Sequence, residues 1–357
     1  MNRIAFLWIF LSLLTVHGLL SQNPHQKTNF DRDWKFHFGH AADPAKDFNF
    51  SVATIFSKTG KTDKTALEVQ FDDSAWRRLN VPHDWAVELP FVNVDNFDVM
   101  AHGYKPVGGL FPETSIGWYR KTFTIPAADS TRRFVIQFDG IFRDAQVWVN
   151  GFYLGRNESG YIGMAYDLTD YLRYDQPNAL VVRVDATQYE GWFYEGAGIY
   201  RHVWLHRLDP LHVDIDGVFV HTRGIGPTSL VSVQADVVND LNQQNSGSAY
   251  MYIADRNGKK LSQSPETPFT LDAQGKTTLK QELILRSPRL WSLEDPYLYR
   301  LITVVRKGKT VADTLETRFG VRQIEISASQ GLLLNGKPVK VQGVNCHQDH
   351  AGVGSAL

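Results

Sequence analysis

The sequence has one cysteine, Cys346, among its 357 residues. A lone cysteine excludes an intrachain disulfide, so stability must come from apolar side chains buried in large domains. The formal net charge is −1, so the chain lacks the basic excess by which proteins attract nucleic acid, and no nucleic-acid partner is expected. Sustained helical periodicity, internal repeats and low-complexity tracts are also absent. The length allows about two or three domains, and these absences favour β-rich ones.

A long apolar run lies at the N-terminus. Arg3 precedes an almost wholly apolar stretch from Ile4 to Leu14, and Gly18 or Ser21 suits the position before a cleavage point. This pattern predicts a signal peptide over residues 1–21, because the apolar run is too short for a good membrane span. We therefore expect an exported protein, periplasmic or extracellular, without a stable membrane span after cleavage. A retained signal anchor is the alternative.

Short runs of alternating apolar and polar residues dominate the rest of the chain. Residues 133–138, 145–149 and 179–184 are examples, and they are rich in β-branched and aromatic residues. Such runs are typical of half-buried strands. Turn signals such as Asn150-Gly151 and Asn335-Gly336 separate them, since Asn-Gly tolerates the positive φ angles of tight hairpins. The pattern predicts β-sandwiches with most of the aromatic side chains in their cores.

A domain boundary is predicted at Leu208-Asp209-Pro210, because proline fixes φ and removes a hydrogen-bond donor. A second block of short strands runs from about 211 to 317, and its length fits an immunoglobulin-like sandwich. No chemistry is visible in this block, so we interpret it as a spacer. Beyond it, residues 332–339 resemble a hairpin. This hairpin leads into a predicted buried strand that begins at Val341 and opens into the polar cluster Asn345–His350.

A series of short motifs follows in a fixed order along the chain. The motifs are Val81-Pro82-His83-Asp84-Trp85, Gly117-Trp118-Tyr119-Arg120, Val147-Trp148-Val149-Asn150-Gly151, Gly196-Ala197-Gly198-Ile199-Tyr200-Arg201, Asn335-Gly336-Lys337-Pro338 and Gly343-Val344-Asn345-Cys346-His347. Together they resemble glycoside hydrolase family 2, and most of all its bacterial β-galactosidases. The likeness runs from about Phe30 to Leu357, and the order of the motifs is more specific than any one of them.

The resemblance implies a mainly β fold in three parts. These are a jelly-roll-like sugar-binding domain over residues 27–208, an immunoglobulin-like β-sandwich over 210–320, and the start of a (β/α)₈ catalytic barrel over 321–357. The family is retaining and uses two glutamates, whose carboxyl groups lie about 5–5.5 Å apart. Both lie deeper in the barrel than the segment reached here, so no catalytic residue is expected in this chain, which alone should be inactive. No cofactor is expected in this chain either, whereas the resemblance implies Mg²⁺ or Na⁺ ions for full-length relatives.

Two segments carry residues that the resemblance assigns to sugar binding. His347 matches the family's barrel-entrance histidine, and Asp349 and His350 lie on the same loop. Asp84 matches a loop residue that reaches across to the sugar in β-galactosidases. The alternatives are a surface histidine and a turn-capping aspartate. The spacing of Cys346, His347, Asp349 and His350 matches no standard metal site.

An acidic residue that helps form the wall of the sugar subsite is also implied, just before the Gly196 motif. Glu190 and Glu195 both fit, and the register leaves the choice open. Trp192, between them, has the flat apolar surface on which a sugar ring stacks. Together with the first loop these residues predict a site for the terminal sugar of a glycan.

Three functions remain open at this point. The first is the N-terminal part of an exported β-galactosidase acting on β-galactoside-containing oligosaccharides, with β-glucuronides or β-mannosides as alternative substrates. The second is a non-catalytic carbohydrate-binding protein, and the third is a structural β-sandwich without sugar affinity. A stand-alone binding protein would be expected to end near Thr317, whereas this chain continues into the predicted barrel strand, which favours the first function.

Overall fold

The computed structural model describes residues 24–62, 64–89, 116–187, 194–346, 350 and 352–356. The fold is mainly β, and the helical segments among these residues are short 3₁₀ turns. They are Pro44–Lys46, Val52–Ile55, Ala86–Glu88, Ala127–Asp129 and Thr169–Tyr171. No described helix is long and apolar enough to cross a membrane. The predicted signal peptide lies outside the described residues.

The first half of the chain forms a two-sheet sandwich. Its strands are β1 (Gln26–Asn29), β2 (Trp34–Phe38), β3 (Arg77–Leu79), β4 (Ile116–Thr124), β5 (Arg133–Phe138), β6 (Ala145–Val149), β7 (Phe152–Asn157), β8 (Met164–Asp167), β9 (Pro177–Asp185) and β10 (Val203–Leu208). One sheet has the order β3-β2-β4-β9-β6-β7 and the other β1-β10-β5-β8. All pairings between these strands are antiparallel.

The larger sheet of this sandwich is buried on both faces. On β4, Tyr119 packs into the core between the two sheets, while its neighbour Trp118 packs into a second core on the outer face. The indole of Trp118 stacks on that of Trp148 from β6, with ring centroids 6.2 Å apart. Loop residues such as Phe50 cover this outer core. Burial on both faces explains why β6 and β9 are buried at successive positions, whereas the half-buried strands predicted at 145–149 and 179–184 would expose every second side chain.

The second block of strands forms another sandwich. Its strands are β11 (Leu211–Arg223), β12 (Thr228–Asn239), β13 (Asn245–Ala254), β14 (Lys260–Gln263), β15 (Thr267–Leu271), β16 (Lys276–Arg286), β17 (Tyr299–Lys307) and β18 (Thr310–Phe319). One sheet has the order β11-β12-β16, and the other has the order β14-β13-β17-β18 with β15 paired to β13. A single apolar core lies between them.

Buried polar contacts join the two sandwiches. The His25 imidazole Nδ1 lies 3.1 Å from Asp313 Oδ1, and the same carboxylate accepts the Val213 backbone N–H at 2.7 Å. Arg133, on the first sandwich, lies 3.4 Å from Asp240 Oδ2 on the second. The junction around Asp209 and Pro210 is therefore held by charged groups drawn from both sides.

The last part of the chain differs from the prediction. Strands β19 (Ile324–Ser327), β20 (Gly331–Leu334) and β21 (Lys337–Pro338) form a small sheet, in which Asn335 and Gly336 make the tight turn with φ of 52° and 75°. Residues 341–346, however, are exposed and form no strand, and Val344 is 92% exposed. The prediction of a buried strand here was wrong, because no described strand lies beside this segment to pair with it and cover its faces.

Candidate functional site

The structure describes only some of the residues predicted to bind sugar. Glu190, Trp192, His347 and Asp349 lie outside the described residues. Asp84 is described, as are Glu195 and His350.

The loop that carries Asp84 is fixed by the core beneath it. The Trp85 side chain is fully buried and lies against Gly117, where a Cβ atom would come within 2.4 Å of the indole ring. The backbone N–H groups of His83 and Trp85 donate to the carbonyl oxygens of Ile199 and Ala197, at 2.7 and 3.0 Å. These bonds hold the Asp84 loop against the Gly196 motif, so two motifs far apart in sequence form one site.

His83 anchors this loop from below. Its Nδ1 lies 2.8 Å from the Tyr119 hydroxyl, and its Nε2 lies 3.0 Å from Glu88 Oε1. Burial lowers the pKa of His83, although the neighbouring Glu88 carboxylate opposes this shift. Burial also raises the pKa of Tyr119 well above its usual value. Both ring nitrogens are thus engaged by protein groups, and the ring serves to orient the loop.

The Asp84 carboxylate accepts hydrogen bonds from three separate segments. Its Oδ1 accepts the backbone N–H groups of Ala86 at 2.9 Å and Ala197 at 2.8 Å. Its Oδ2 accepts the Tyr194 hydroxyl at 2.7 Å, and both the backbone N–H and the hydroxyl of Ser355 at 2.9 Å. Asp84 is only 3% exposed. A direct contact between Asp84 and a sugar stays a prediction, and it would require one of these donors to leave.

The Gly196 motif has glycines where no side chain fits. Gly198 has φ of +125°, and a Cβ atom there would lie 2.4 Å from the Tyr119 hydroxyl and 2.6 Å from the His83 carbonyl oxygen. Its N–H and carbonyl pair with Phe142 on the opposite side, at 2.6 and 2.9 Å. The Tyr200 hydroxyl then donates to the Gly160 carbonyl oxygen at 2.8 Å. Several loops cross in close contact at this motif. The sequence therefore requires glycine at position 198, where no side chain fits, and the Tyr200 hydroxyl that bonds to the neighbouring loop.

Glu195 and His350 lie on the segments that meet at Asp84. Glu195 is half-buried next to Tyr194, whereas His350 is exposed. The backbone of His350 pairs with that of Gly354, with N–H···O distances of 3.1 and 2.8 Å. The contacts of Tyr194 and Ser355 with Asp84 were not predicted from the sequence. Tyr194 lies beside a predicted motif and could have been found, while Ser355 carries no sequence signal of its own.

The described residues offer no ready metal site. Among them, no group of three or more histidine, cysteine, aspartate or glutamate side chains is arranged to hold a metal ion. Cys346 is exposed. We therefore assign no metal ligands to the described part of this chain.

The chain matches two models of one family. The model described as "Glycosyl hydrolases family 2, sugar binding domain" matches residues 52–209. The model described as "Glycosyl hydrolases family 2" matches residues 213–322. The boundary between the two matches falls between β10 and β11, where the two sandwiches meet.

The chain is also similar in sequence and in structure to individual glycosidases. The chain is 33% identical over 337 residues to a β-galactosidase of Bacteroides ovatus, covering 94% of this chain and 36% of that protein. It is 27% identical over 334 residues to a β-glucuronidase of Formosa agariphila, covering 87% of this chain and 33% of that protein. The crystal structure of a family 2 member from Bacteroides cellulosilyticus superposes with a TM-score of 0.76 at 31% identity, covering 93% of this chain and 40% of that one.

These relatives are much longer than this chain, which spans about a third of the length of the two curated proteins. The likeness therefore concerns the two sandwiches and the segment that follows them. Both family models, the ordered motifs and the shared fold agree, and the chain belongs to glycoside hydrolase family 2.

Proposed function

We propose that this chain is the N-terminal, sugar-binding part of an exported retaining glycosidase that hydrolyses terminal β-galactosides. The observation that carries the proposal is the convergence on Asp84 of the Tyr194–Ala197 segment and Ser355, in a chain 33% identical to a β-galactosidase. The predicted signal peptide supports export to the periplasm or beyond. A glycan is accordingly the proposed partner, and no oligomeric state is assigned.

The sugar would lie beside the loops that meet at Asp84. Glu195 or Glu190 would accept hydrogen bonds from sugar hydroxyls, since a carboxylate offers two acceptor oxygens. The Trp192 indole would stack against the apolar face of the ring. His347, Asp349 and His350 would form the facing wall. Asp84 borders this site, and its carboxylate is already occupied by protein donors.

Bond cleavage would use two carboxyl groups that this chain does not supply. In a retaining glycosidase one carboxylic acid protonates the leaving oxygen, and the other, as carboxylate, attacks the anomeric carbon to form a glycosyl-enzyme. Water then releases the sugar with the first group acting as base. The family resemblance assigns both groups to the barrel. The part played by this chain is to bind and orient the sugar.

A β-glucuronide is the second candidate substrate, favoured by the 27% identity to a β-glucuronidase. The two candidates differ at one position of the ring, where a glucuronide carries a carboxylate. Carboxylates such as Glu195 would repel that group and accept hydroxyl hydrogen bonds from galactose instead. This charge argument ranks the β-galactoside first. No comparable observation favours a β-mannoside.

Binding by the purified chain tests the proposal. We expect methyl β-galactoside to bind more tightly than methyl β-glucuronide in calorimetric titrations, and Glu195→Gln to weaken the galactoside at least threefold if Glu195 faces the sugar. Glu158→Gln, an exposed carboxylate whose side chain is 71% accessible, serves as control and should leave binding unchanged. Tighter binding of methyl β-glucuronide would instead make a β-glucuronide the proposed substrate. Absence of binding to either sugar would favour a structural β-sandwich.

A further inference from the structure

Asp84 and Ser355 are joined by two hydrogen bonds across 271 positions of the sequence. The Ser355 backbone N–H and its hydroxyl both donate to Asp84 Oδ2 at 2.9 Å. Ser355 is 7% exposed and Asp84 3% exposed, so this contact is shielded from water. Two charge-assisted bonds in a shielded place are worth more than the same bonds at a surface. Residues 352–356, here called the docked segment, are thereby attached to the first sandwich.

The carboxylate has no capacity left for a further ligand. A carboxylate offers about four lone-pair positions on its two oxygens. Asp84 receives two donors on Oδ1 and three on Oδ2. A sugar hydroxyl could therefore bind only by displacing a donor, and the displaced N–H or O–H group would be left buried without this partner, which costs about 1–3 kcal/mol.

The backbone around the carboxylate is shaped for this contact. Gly354 has φ of +60°, and a Cβ atom there would lie 2.3 Å from Asp84 Oδ2 and 2.6 Å from the Tyr194 hydroxyl. Gly196 has φ of +75°, and a Cβ atom there would lie 2.3 Å from the Ser355 hydroxyl oxygen. Glycine occupies both positions at which a side chain would keep Ser355 from reaching the Asp84 carboxylate.

The docked segment also has an internal structure that presents Ser355 to Asp84. The Gly354 N–H donates to the His350 carbonyl oxygen at 2.8 Å, and the Ala356 N–H donates to that of Val353 at 3.1 Å. These bonds turn the chain so that the Ser355 N–H points away from its own turn and toward the carboxylate. The turn thus supplies the hydrogen-bond donors of Ser355, and Asp84 supplies the acceptor.

We propose that Asp84 is a positioning residue, which docks residues 352–356 onto the first sandwich and thereby places the loop that includes His350, without binding the sugar itself. The docking rests on the contacts alone. Its consequence, that Asp84 acts on the sugar through this loop, rests on the proposed function. Docking would also link the sandwich to the segment in which the family resemblance places the first sugar-contacting histidine.

Site-resolved hydrogen exchange on the full chain tests the docking. In the wild-type protein the Ser355 amide should exchange at least tenfold more slowly than an unstructured amide. Gly354→Ala should remove this protection, because its Cβ would collide with the carboxylate. Gly352→Ala is the matched control, since Gly352 also has a positive φ, of +81°, and has no atom within 4 Å of the Cβ position. It should retain the protection.

Asp84→Asn provides the second variant, because an amide nitrogen cannot accept the three donors at Oδ2. A fluorophore on Cys346, which is exposed and is the single cysteine, gives an independent readout. Its anisotropy should fall in Gly354→Ala and in Asp84→Asn but not in Gly352→Ala. Protection of amides in β4 and β9 shows that each variant is folded. An unprotected Ser355 amide in the wild type, or equal protection in all variants, would overturn the docking.

Addition of sugar separates this inference from the proposed function. With methyl β-galactoside at saturation, measured by calorimetry, the Ser355 amide should keep its protection. Release of the docked segment on sugar binding would show that Asp84 contacts the sugar directly, and the positioning role would be wrong. If the sugar does not bind at all, the proposed function fails, while the exchange rates without sugar still decide whether Asp84 docks the segment.

Discussion

At the residue scale, His206 is an imidazole enclosed where the two sandwiches meet. It is 3% exposed, and its Nε2 lies 2.8 Å from the side-chain oxygen of Gln137. Burial lowers the pKa of His206 to about 4, and the nearby Lys27, His25 and His212 add to this effect. The cleft beside it, of about 740 Å³, is also lined by Asp216, Glu316 and Arg318. The ring is therefore neutral in the folded protein at neutral pH.

This lowered pKa predicts a loss of stability in acid. The folded state binds fewer protons than the unfolded state between the ordinary pKa of 6.5 and about 4. The buried neutral ring thus contributes its full share to the free energy of unfolding above pH 6.5. That share falls by roughly 3 kcal/mol as the pH drops toward 4. Urea titrations of His206→Gln and wild type from pH 4 to 7 should show a shallower pH dependence in the variant. His221→Gln, at an exposed position on β11, should behave as wild type.

Asp47 is a second residue whose role depends on burial. Its Oδ1 accepts the Trp118 indole N–H at 2.6 Å, and its Oδ2 lies 2.9 Å from an Arg183 guanidinium nitrogen. Burial raises the pKa of Asp47 although Arg183 opposes the shift. The carboxylate thus joins the loop that covers the outer core to β4 and β9.

Removing this carboxylate should be costly. Asp47→Ala leaves the buried Arg183 and the Trp118 indole without their partner, and loss of one member of a buried pair typically costs about 3–5 kcal/mol. The free energy of unfolding from denaturant titration measures this. Asp72→Ala, at an exposed aspartate of the same region, should cost about 1 kcal/mol or less. Equal losses in both variants would contradict the assigned role of Asp47.

At the element scale, the close contact between loops at Gly198 can be tested by the substitution Gly198→Ala, which adds one methyl group. Gly198→Ala would combine an unfavourable φ with contacts of 2.4 and 2.6 Å to Tyr119 and His83, so it should destabilise by about 2–4 kcal/mol. Gly226→Ala is the control, because no atom lies within 4 Å of its Cβ position. In Gly198→Ala the amides of His83 and Trp85, which donate to this segment, should exchange faster. Unchanged exchange there would mean that the crossing does not hold the Asp84 loop.

Several strands and turns of the fold could be predicted from the sequence. The runs at 133–138, 145–149 and 179–184 form β5, β6 and part of β9, because β-branched and aromatic residues favour strands locally. The predicted alternation of burial is found in β5 but not in β6 or β9, which are buried at successive positions. The Asn150-Gly151 and Asn335-Gly336 turns are confirmed by their positive φ angles. The exposed segment 341–346 was predicted wrongly, since burial of a strand depends on its neighbours. Ser355 was missed because its partner is 271 positions away, and no local pattern specifies such a contact.

At the scale of the whole molecule, the proposed chemistry depends on groups beyond the two sandwiches. The family models match residues 52–209 and 213–322, which cover the first sandwich from β3 onward and nearly all of the second. A retaining mechanism needs one carboxyl group that is protonated and another that is ionised, about 5–5.5 Å apart, with environments that separate their pKa values. The Asp84 carboxylate is occupied by protein donors that hold loops together, and the family resemblance assigns the catalytic pair to the barrel.

The purified 357-residue chain should therefore show no glycosidase turnover by itself. Release of nitrophenol from nitrophenyl β-galactoside should equal the buffer blank, even at protein concentrations far above those used for an intact family 2 β-galactosidase assayed alongside it. Sugar binding in calorimetry should persist in the same preparation, which separates inactivity from misfolding. Hydrolysis above the blank would contradict the prediction, provided that Glu190→Gln or Glu195→Gln abolishes it, because a contaminating enzyme would be insensitive to either change.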